Sequence, residues 1–408
     1  MKFFLENFKW LLACSLMYFS SCFGQTFFIS LYANEIRSFF QLSHGDWGSI
    51  YALGTLASAF MMLVLGGLVD KYEFKKLLIL VFISLSILCF TMVLNSSLWI
   101  LIGIIFGLRF FGQGMLFHLP SVAIGRWFGQ NKGKATSISV LGFSLGEAIF
   151  PIIMTFIISF VGWKFSWSFG GVLLLLILPF IVTLLKVERT PKSSRNQVIE
   201  QTGLNDKHWT RKEVLKFWLF WSVIIPLLIT PIFSTAFFFY QMHLIDIKNF
   251  NVVKYFSIFP IYTISSMSAL IFSGWLIDKL GVSKFLPYYL IPMALGLISF
   301  SIGDNYFYVF IGFIFLGITQ GSAMTIGSTF WPNYFGTKNL GSIRSLSTSS
   351  MVFGTALGPV IVGQLLDLNV SYNYILFGMS ILAIASCISL FITLSLIHIS
   401  EPTRRLNI

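Results

Sequence analysis

The sequence predicts an all-α membrane protein: twelve transmembrane helices arranged as two six-helix pseudo-repeats. Three observations predict it. The chain has 408 residues, of which 56% are hydrophobic and only 10% charged, with a mean hydropathy of +0.84, far outside the soluble range. Apolar runs of about 20 residues recur along its length, each long enough to cross a hydrocarbon core of roughly 30 Å as a helix. Finally, the second half of the chain echoes the first at a nearly constant offset.

The runs fall at 10–32, 47–69, 77–95, 98–122, 136–160 and 166–186 in the first half. In the second they fall at 217–243, 254–276, 284–303, 305–332, 346–366 and 374–397. A Lys before an apolar stretch at the N-terminus looks like a cleaved signal peptide, but the run continues through Phe23 to Tyr32, so an uncleaved first span is expected. Between the halves, 187–215 is polar and basic and reads as a linker. The expected organisation is therefore 1–186, a six-helix half; 187–215, a cytoplasmic linker; 216–397, a second six-helix half; and 398–408, a tail. The tail region, LSLIHISEPTRRLNI, resembles translated sequencing-adapter sequence, so part of it is expected to be non-native.

The net charge of +12 is distributed by side. With the N-terminus in the cytoplasm, 22 basic residues lie in inner segments and four, Arg37, Lys164, Lys248 and Lys254, in outer loops. That asymmetry predicts a multi-pass protein of a cytoplasmic (inner) membrane with both termini cytoplasmic, and no nucleic-acid partner. Cys14, Cys22, Cys89 and Cys387 all fall within spans and show no metal or disulfide spacing. No metal and no cofactor are expected.

The echo is specific. GGLVDKYEFKK (66–76) and GWLIDKLGVSK (274–284) align Gly66 with Gly274, Leu68 with Leu276, Asp70 with Asp278 and Lys71 with Lys279 at an offset of 208. Gln113-Gly114 matches Gln320-Gly321, Phe128-Gly129 matches Phe335-Gly336, and Gly133, Gly146 and Pro151 match Gly341, Gly354 and Pro359. Twelve spans, a repeat of six and six, a basic central loop and a G-x-L-x-D-K turn after spans 2 and 8 together resemble the major facilitator superfamily. Glu73 and Phe74 depart from the family's usual turn, as do Val282 and Ser283.

The resemblance implies two parallel repeats with a small-molecule site near the midplane, spans 1, 4, 7 and 10 lining it, and secondary transport by alternating access in a lipid bilayer. It also implies that Gly66, Asp70 and Lys71, with Gly274, Asp278 and Lys279, form a cytoplasmic gate. Glycine lets a helix end approach a neighbour, and the carboxylate then meets a helix N-terminus. Loops whose charges only set topology would explain the lysines but not the repeated Gly and Asp. A monomer is expected.

Of 42 charged side chains 40 lie in loops or at span ends, and only Arg109, in the fourth span, and Glu147, in the fifth, lie in a span's interior. Each costs about 2.5 to 3.5 kcal/mol near the bilayer centre. Arg109 lies 13 residues from the inner end of its span and Glu147 11 from its own, so both reach the midplane and are expected to find each other or water. Two readings stand: a permanent ion pair that orders two helices, or Arg109 attracting an anionic substrate group or tuning Glu147 while Glu147 carries a proton. LRFFGQGM resembles the family's fourth-span motif, with its glycines respaced to Gly112 and Gly114. Gln113, His118, Gln25, Gln241 and Gln320 are further candidate substrate contacts, or else helix-to-helix hydrogen bonds.

GRWFGQNKGKATSISVLGFSLGEAIFP is loosely similar to monocarboxylate and organic-anion carriers, which, with Arg109, suggests a proton symporter of a small organic anion. Drug antiporters of the superfamily tend to carry G-x-x-x-G-P in the fifth span, where this chain has Glu147 in place of Pro. Efflux of drugs or metabolites, or a non-transporting sensor, are the alternatives. G-F-S-L-G (142–146) fits a serine-nucleophile pattern, but such an elbow belongs on a strand-to-helix turn, not inside a membrane helix. No catalytic residues and no enzymatic activity are expected, and the absence of a P-loop argues against direct ATP use.

Overall fold

The computed structural model describes residues 2–65, 68–128, 132–186 and 202–400. The side chains of Asp70, Lys71 and a few others within these ranges lie outside the description. Among the described residues ten helices are long and apolar enough to cross a bilayer, and the bent pair Phe3–Gly24 and Thr26–Phe40 makes an eleventh. One of the ten, Lys132–Leu184, runs for 53 residues, about 80 Å at 1.5 Å per residue, more than twice a hydrocarbon core. It breaks at Gly162, whose φ of 77° and ψ of 163° no helix contains. Only glycine adopts that conformation at little cost, so the helix is two crossings, the fifth and sixth, joined with almost no loop. The count then reaches the twelve that the sequence predicts.

The other crossings follow the apolar runs within a few residues: His44–Leu65, Phe74–Leu94, Trp218–Phe239, Pro260–Leu280, Val282–Ile302, Tyr306–Phe335, Leu340–Asp367 and Tyr372–Ser400. The fourth crossing is composite, Leu98–Gly107 and Leu116–Phe128 with a π-helical stretch between them. The seventh ends at Phe239, earlier than the apolar run, because Tyr240 leaves helical geometry at φ −102°, ψ 15°. A separate short helix, Gln241–Ile247, follows. Large apolar side chains such as Phe60, Leu63, Trp99 and Ile271 are 68 to 83% exposed, as helices that meet lipid require.

The chain divides into two compact units. The first comprises Met1–Gln197, Phe238–Ser257 and Pro359–Gln364. Its centre is aromatic: Phe23, Phe28, Tyr32, Phe150 and Trp167 meet edge-on or tilted, with ring centroids 4.5 to 5.9 Å apart. The third crossing is tied to the sixth by Ser86, which donates to the Gly171 carbonyl at 2.9 Å. Such hydroxyl-to-carbonyl bonds are one of the few attractive terms between helices whose surroundings are as apolar as their side chains.

The second unit comprises Val198–Phe237, Ile258–Gly358 and Leu365–Ile408. Its eighth and tenth crossings are joined by Ser273 and Thr325, whose hydroxyls lie 2.8 Å apart. Residues 202–216, the described end of the linker, fold against the end of the tenth crossing. Trp209, 8% exposed, donates its amide to the Phe335 carbonyl at 3.2 Å and its indole N–H to Leu204, while Asn339 donates to the Trp209 carbonyl at 2.9 Å. Thr210 and Glu213 form a capping box on the helix Arg211–Lys216. A hydrogen bond from Lys207, then those from Thr210, hold the Glu213 carboxyl down to about 2. Trp209→Ala is expected to destabilise this brace by about 3 kcal/mol; limited proteolysis checks it, with cleavage within 202–216 appearing in the variant alone.

Candidate substrate site

Two irregularities in neighbouring helices build the site in the first unit. The first crossing breaks at Gln25, which is extended at φ −85°, ψ 154°. A 3-10 turn, Ser21–Gly24, precedes it and the helix Thr26–Ile29 follows; the two halves of the crossing meet at 47°. The fourth crossing widens into a π-helix over Leu108–Met115. Non-α backbone inside a membrane survives only where something else satisfies the freed groups, and π turns recur at functional sites.

The two irregularities touch. A side chain on Gly24 would fall on the Leu108 carbonyl and within 2.5 Å of the Gln113 nitrogen, and one on Gly112 would lie 2.7 Å from the Gly24 Cα and nitrogen. Glycine at both positions is therefore what lets the two backbones meet.

Arg109 lies at this crossing, 1% exposed. Its Nη1 donates to the Gly24 carbonyl at 3.1 Å and to Thr26 Oγ1 at 3.4 Å, and its guanidinium stands 5.1 Å from the centre of the Tyr51 ring. Thr26 and Tyr51 hydroxyls are 2.5 Å apart. Among the described residues Arg109 Nε has no hydrogen-bond partner. The guanidinium is thus held by neutral acceptors and an aromatic face, which orient a cation and leave its charge uncompensated in a medium where that is expensive.

Glu147 is half-buried on the fifth crossing and is not among the partners of that guanidinium. Its neighbour Gly146 packs on the Cys22 thiol. Gln25 and Gln113 are half-buried at the break and in the π turn, so both flank Arg109; His118 is half-buried further along the fourth crossing. Gln241 is fully buried beyond the end of the seventh crossing, where Nε2 donates to Ser30 Oγ at 2.9 Å and Oε1 has no partner. Gln320 is half-buried in the second unit, beside Gly321, which packs on the Ser266 carbonyl.

Of the paired-turn residues, Gly66 lies outside the described residues. Asp70 and Lys71 end the helical turn Leu68–Lys71. In the second turn a side chain on Gly274 would meet only Thr325, at 4.0 Å. Asp278 is exposed, and Lys279 Nζ stands 5.3 Å from the centre of the Trp275 ring.

Sequence reasoning missed Gly24, Thr26 and Tyr51. The signal available was Gly-Gln-Thr in the middle of an apolar run, since a glycine next to two polar residues is a weak point in a membrane helix.

Twelve crossings, a broken first one and a buried cation beside it define a polytopic membrane protein of the transporter class. The chain belongs to the Major Facilitator Superfamily, whose family model matches residues 14–286 and 256–407. It is 23% identical over 358 residues to NiaP of Bacillus subtilis, named for niacin/nicotinamide transport, covering 84% of each chain. It is 22% identical to the MFS-type transporter YhjX of Escherichia coli, covering 71% of each. To the MFS-type transporter pytF of Aspergillus terreus it is 28% identical over 173 residues, and it spans about half of that protein's length, 53%.

Among solved structures, the nucleoside transporter NupG superposes with a TM-score of 0.72 at 13% identity, over 94% of this chain and 98% of that one. A bacterial homologue of the human lysosomal transporter Spinster gives 0.68 at 14%, over 96% and 95%. At these identities the likeness is one of fold.

Proposed function

We propose that this chain is a secondary active transporter that carries a small organic anion together with protons, by alternating access, across a cytoplasmic membrane in which both termini face the cytoplasm. The observation that carries the reading is Arg109: a buried cation at the junction of two irregular helices, oriented by neutral groups and with Nε unpartnered. A carboxylate arriving there would supply the missing compensation through charge-assisted hydrogen bonds. The name of NiaP adds a carboxylate-bearing candidate, niacin, and the 22 to 4 division of basic residues supports the orientation. Gln25 and Gln113 would contact the remainder of the solute.

The test is uptake by purified protein in liposomes with an imposed pH gradient, screened over carboxylates that include nicotinate, amino acids and cationic drugs. Accumulation of a carboxylate that a protonophore collapses is expected. Flux of cationic drugs alone would turn the reading to efflux, and specific binding with no flux would make the chain a sensor. Glu147 is proposed as the proton carrier, because a carboxyl in an apolar span can exchange a proton more cheaply than it can hold a charge. Glu147→Gln is expected to abolish gradient-driven accumulation while leaving exchange of labelled for unlabelled solute intact. Unchanged gradient-driven uptake would remove Glu147 from the mechanism.

A further inference from the structure

A second polar cluster of the first unit lies where the second crossing begins and the seventh has ended, and it reaches the Arg109 site through Phe239, whose ring packs 4.6 Å from that of Tyr51. It fastens three chain segments distant in sequence. Asn34 Nδ2 donates to Asp246 Oδ2 at 2.6 Å, and the Tyr240 hydroxyl is shared between the carbonyls of His44, at 3.0 Å, and Pro359, at 2.8 Å. Beneath these bonds Trp47 stacks on Phe239 with centroids 5.4 Å apart. At the centre the imidazoles of His44 and His243 meet edge-to-face, centroids 4.5 Å apart and planes at 72°.

We infer that the His44–His243 pair is a proton-binding site whose occupation releases this clasp. Two neutral imidazoles tolerate the contact, and charging both would place like charges within a few ångströms of each other in a half-buried setting.

Charged groups flank the pair on several segments, Asp46 in the first turn of the helix that His44 begins among them. Burial pushes the His243 imidazole below its ordinary value of 6.5; Arg37, on the helix Ala33–Phe40, pushes the same way, and Asp246, on the helix of His243 itself, opposes both. Glu35 shares the helix of Arg37, Lys248 closes that of His243, and Pro359–Gln364 has no titratable residue. A group whose value is depressed in the closed form binds its proton more tightly once released. Clasp stability is therefore complete above 6.5 and is lost as the pH falls through the lower, closed-state value. The physiological consequence rests on the orientation proposed above: the clasp would face the outside, and external acid would open the face from which protons and solute enter together.

The test needs no substrate, so it stands or fails separately from the transport reading. Spin labels at Ser38→Cys and Val253→Cys, both exposed positions, report the separation of the two fastened segments in reconstituted protein. One short distance is expected at pH 7.5, with a second, longer population growing as the pH falls to 5.5. His243→Gln should keep the short distance throughout. Arg37→Gln should move the transition to higher pH and Asp246→Asn to lower pH, each by about one unit. Asp246→Asn retains an acceptor for Asn34, so its effect is one of charge. A distance that does not respond to pH in the parent protein, or transitions that move the same way in both charge variants, would overturn the inference.

Discussion

Arg109→Gln is expected to reduce uptake of the transported anion, and its binding in detergent, by at least about 30-fold, while the protein stays folded. Loss of one partner of a buried, hydrogen-bonded charge pair costs roughly 2 to 5 kcal/mol, which is a factor of about 30 to several thousand. Without solute the same change removes an expensive ion whose only partners are neutral, so the melting temperature of the ligand-free variant should equal or exceed that of the parent. Arg109→Lys should not restore affinity. An ammonium is a compact charge without the planar fork that can hold the Gly24 carbonyl and a carboxylate at once. Parent-like uptake by the glutamine variant would show that Arg109 orders helices and binds nothing.

Gly24→Val is expected to be severely damaging, lowering stability by roughly 3 kcal/mol or more. The new side chain would collide with backbone atoms of the π turn, the Leu108 carbonyl and the Gln113 amide, which cannot rotate away as a flexible side chain can. Gly112→Ala should act in the same direction, because its Cβ meets the Gly24 backbone. Gly103→Ala is the internal control: nothing lies within 4 Å of its Cβ, and alanine favours the helix by about 1 kcal/mol over glycine. Thermal melting of the three variants in detergent checks the order. Equal melting of the Gly24 and Gly103 variants would mean that the first and fourth crossings do not meet as described.

Much of this architecture was legible because a bilayer imposes it. Each crossing must be long and apolar, so the limits of Phe74–Leu94 or Tyr306–Phe335 follow from hydropathy alone. Helices end where charge or glycine returns, and the gap between the apolar runs 136–160 and 166–186 already marks the reversal that Gly162 makes within a 53-residue helix. The irregular centre was not legible. A single extended residue such as Gln25, or a turn of π geometry, leaves no periodic trace in eight residues.

The prominence of Arg109 and Glu147 was readable from composition, and their depth from residue counts. Depth fixes a height along a helix but not a direction around it, since each residue turns the helix by about 100°. Arg109 faces Gly24, Thr26 and Tyr51, partners that are 83 or more residues away in the two polar contacts and whose side chains give no sign in isolation of what they meet. The turns with Asp70 and Asp278 stood out for the opposite reason: their signal is a local string repeated, and what such a string touches is a separate matter.

The widened turn of the fourth crossing has a mechanical corollary. A π turn holds one more residue per hydrogen-bonded ring than an α turn. Passing it one step along the helix turns only the residue it passes, by about 100° and about 1.5 Å, and leaves the helix on either side in place. Leu108–Met115 can therefore work as a swivel: the guanidinium could swing from one set of neighbours to another with no unwinding of the rod that carries it, the wrinkle travelling while both ends stay anchored.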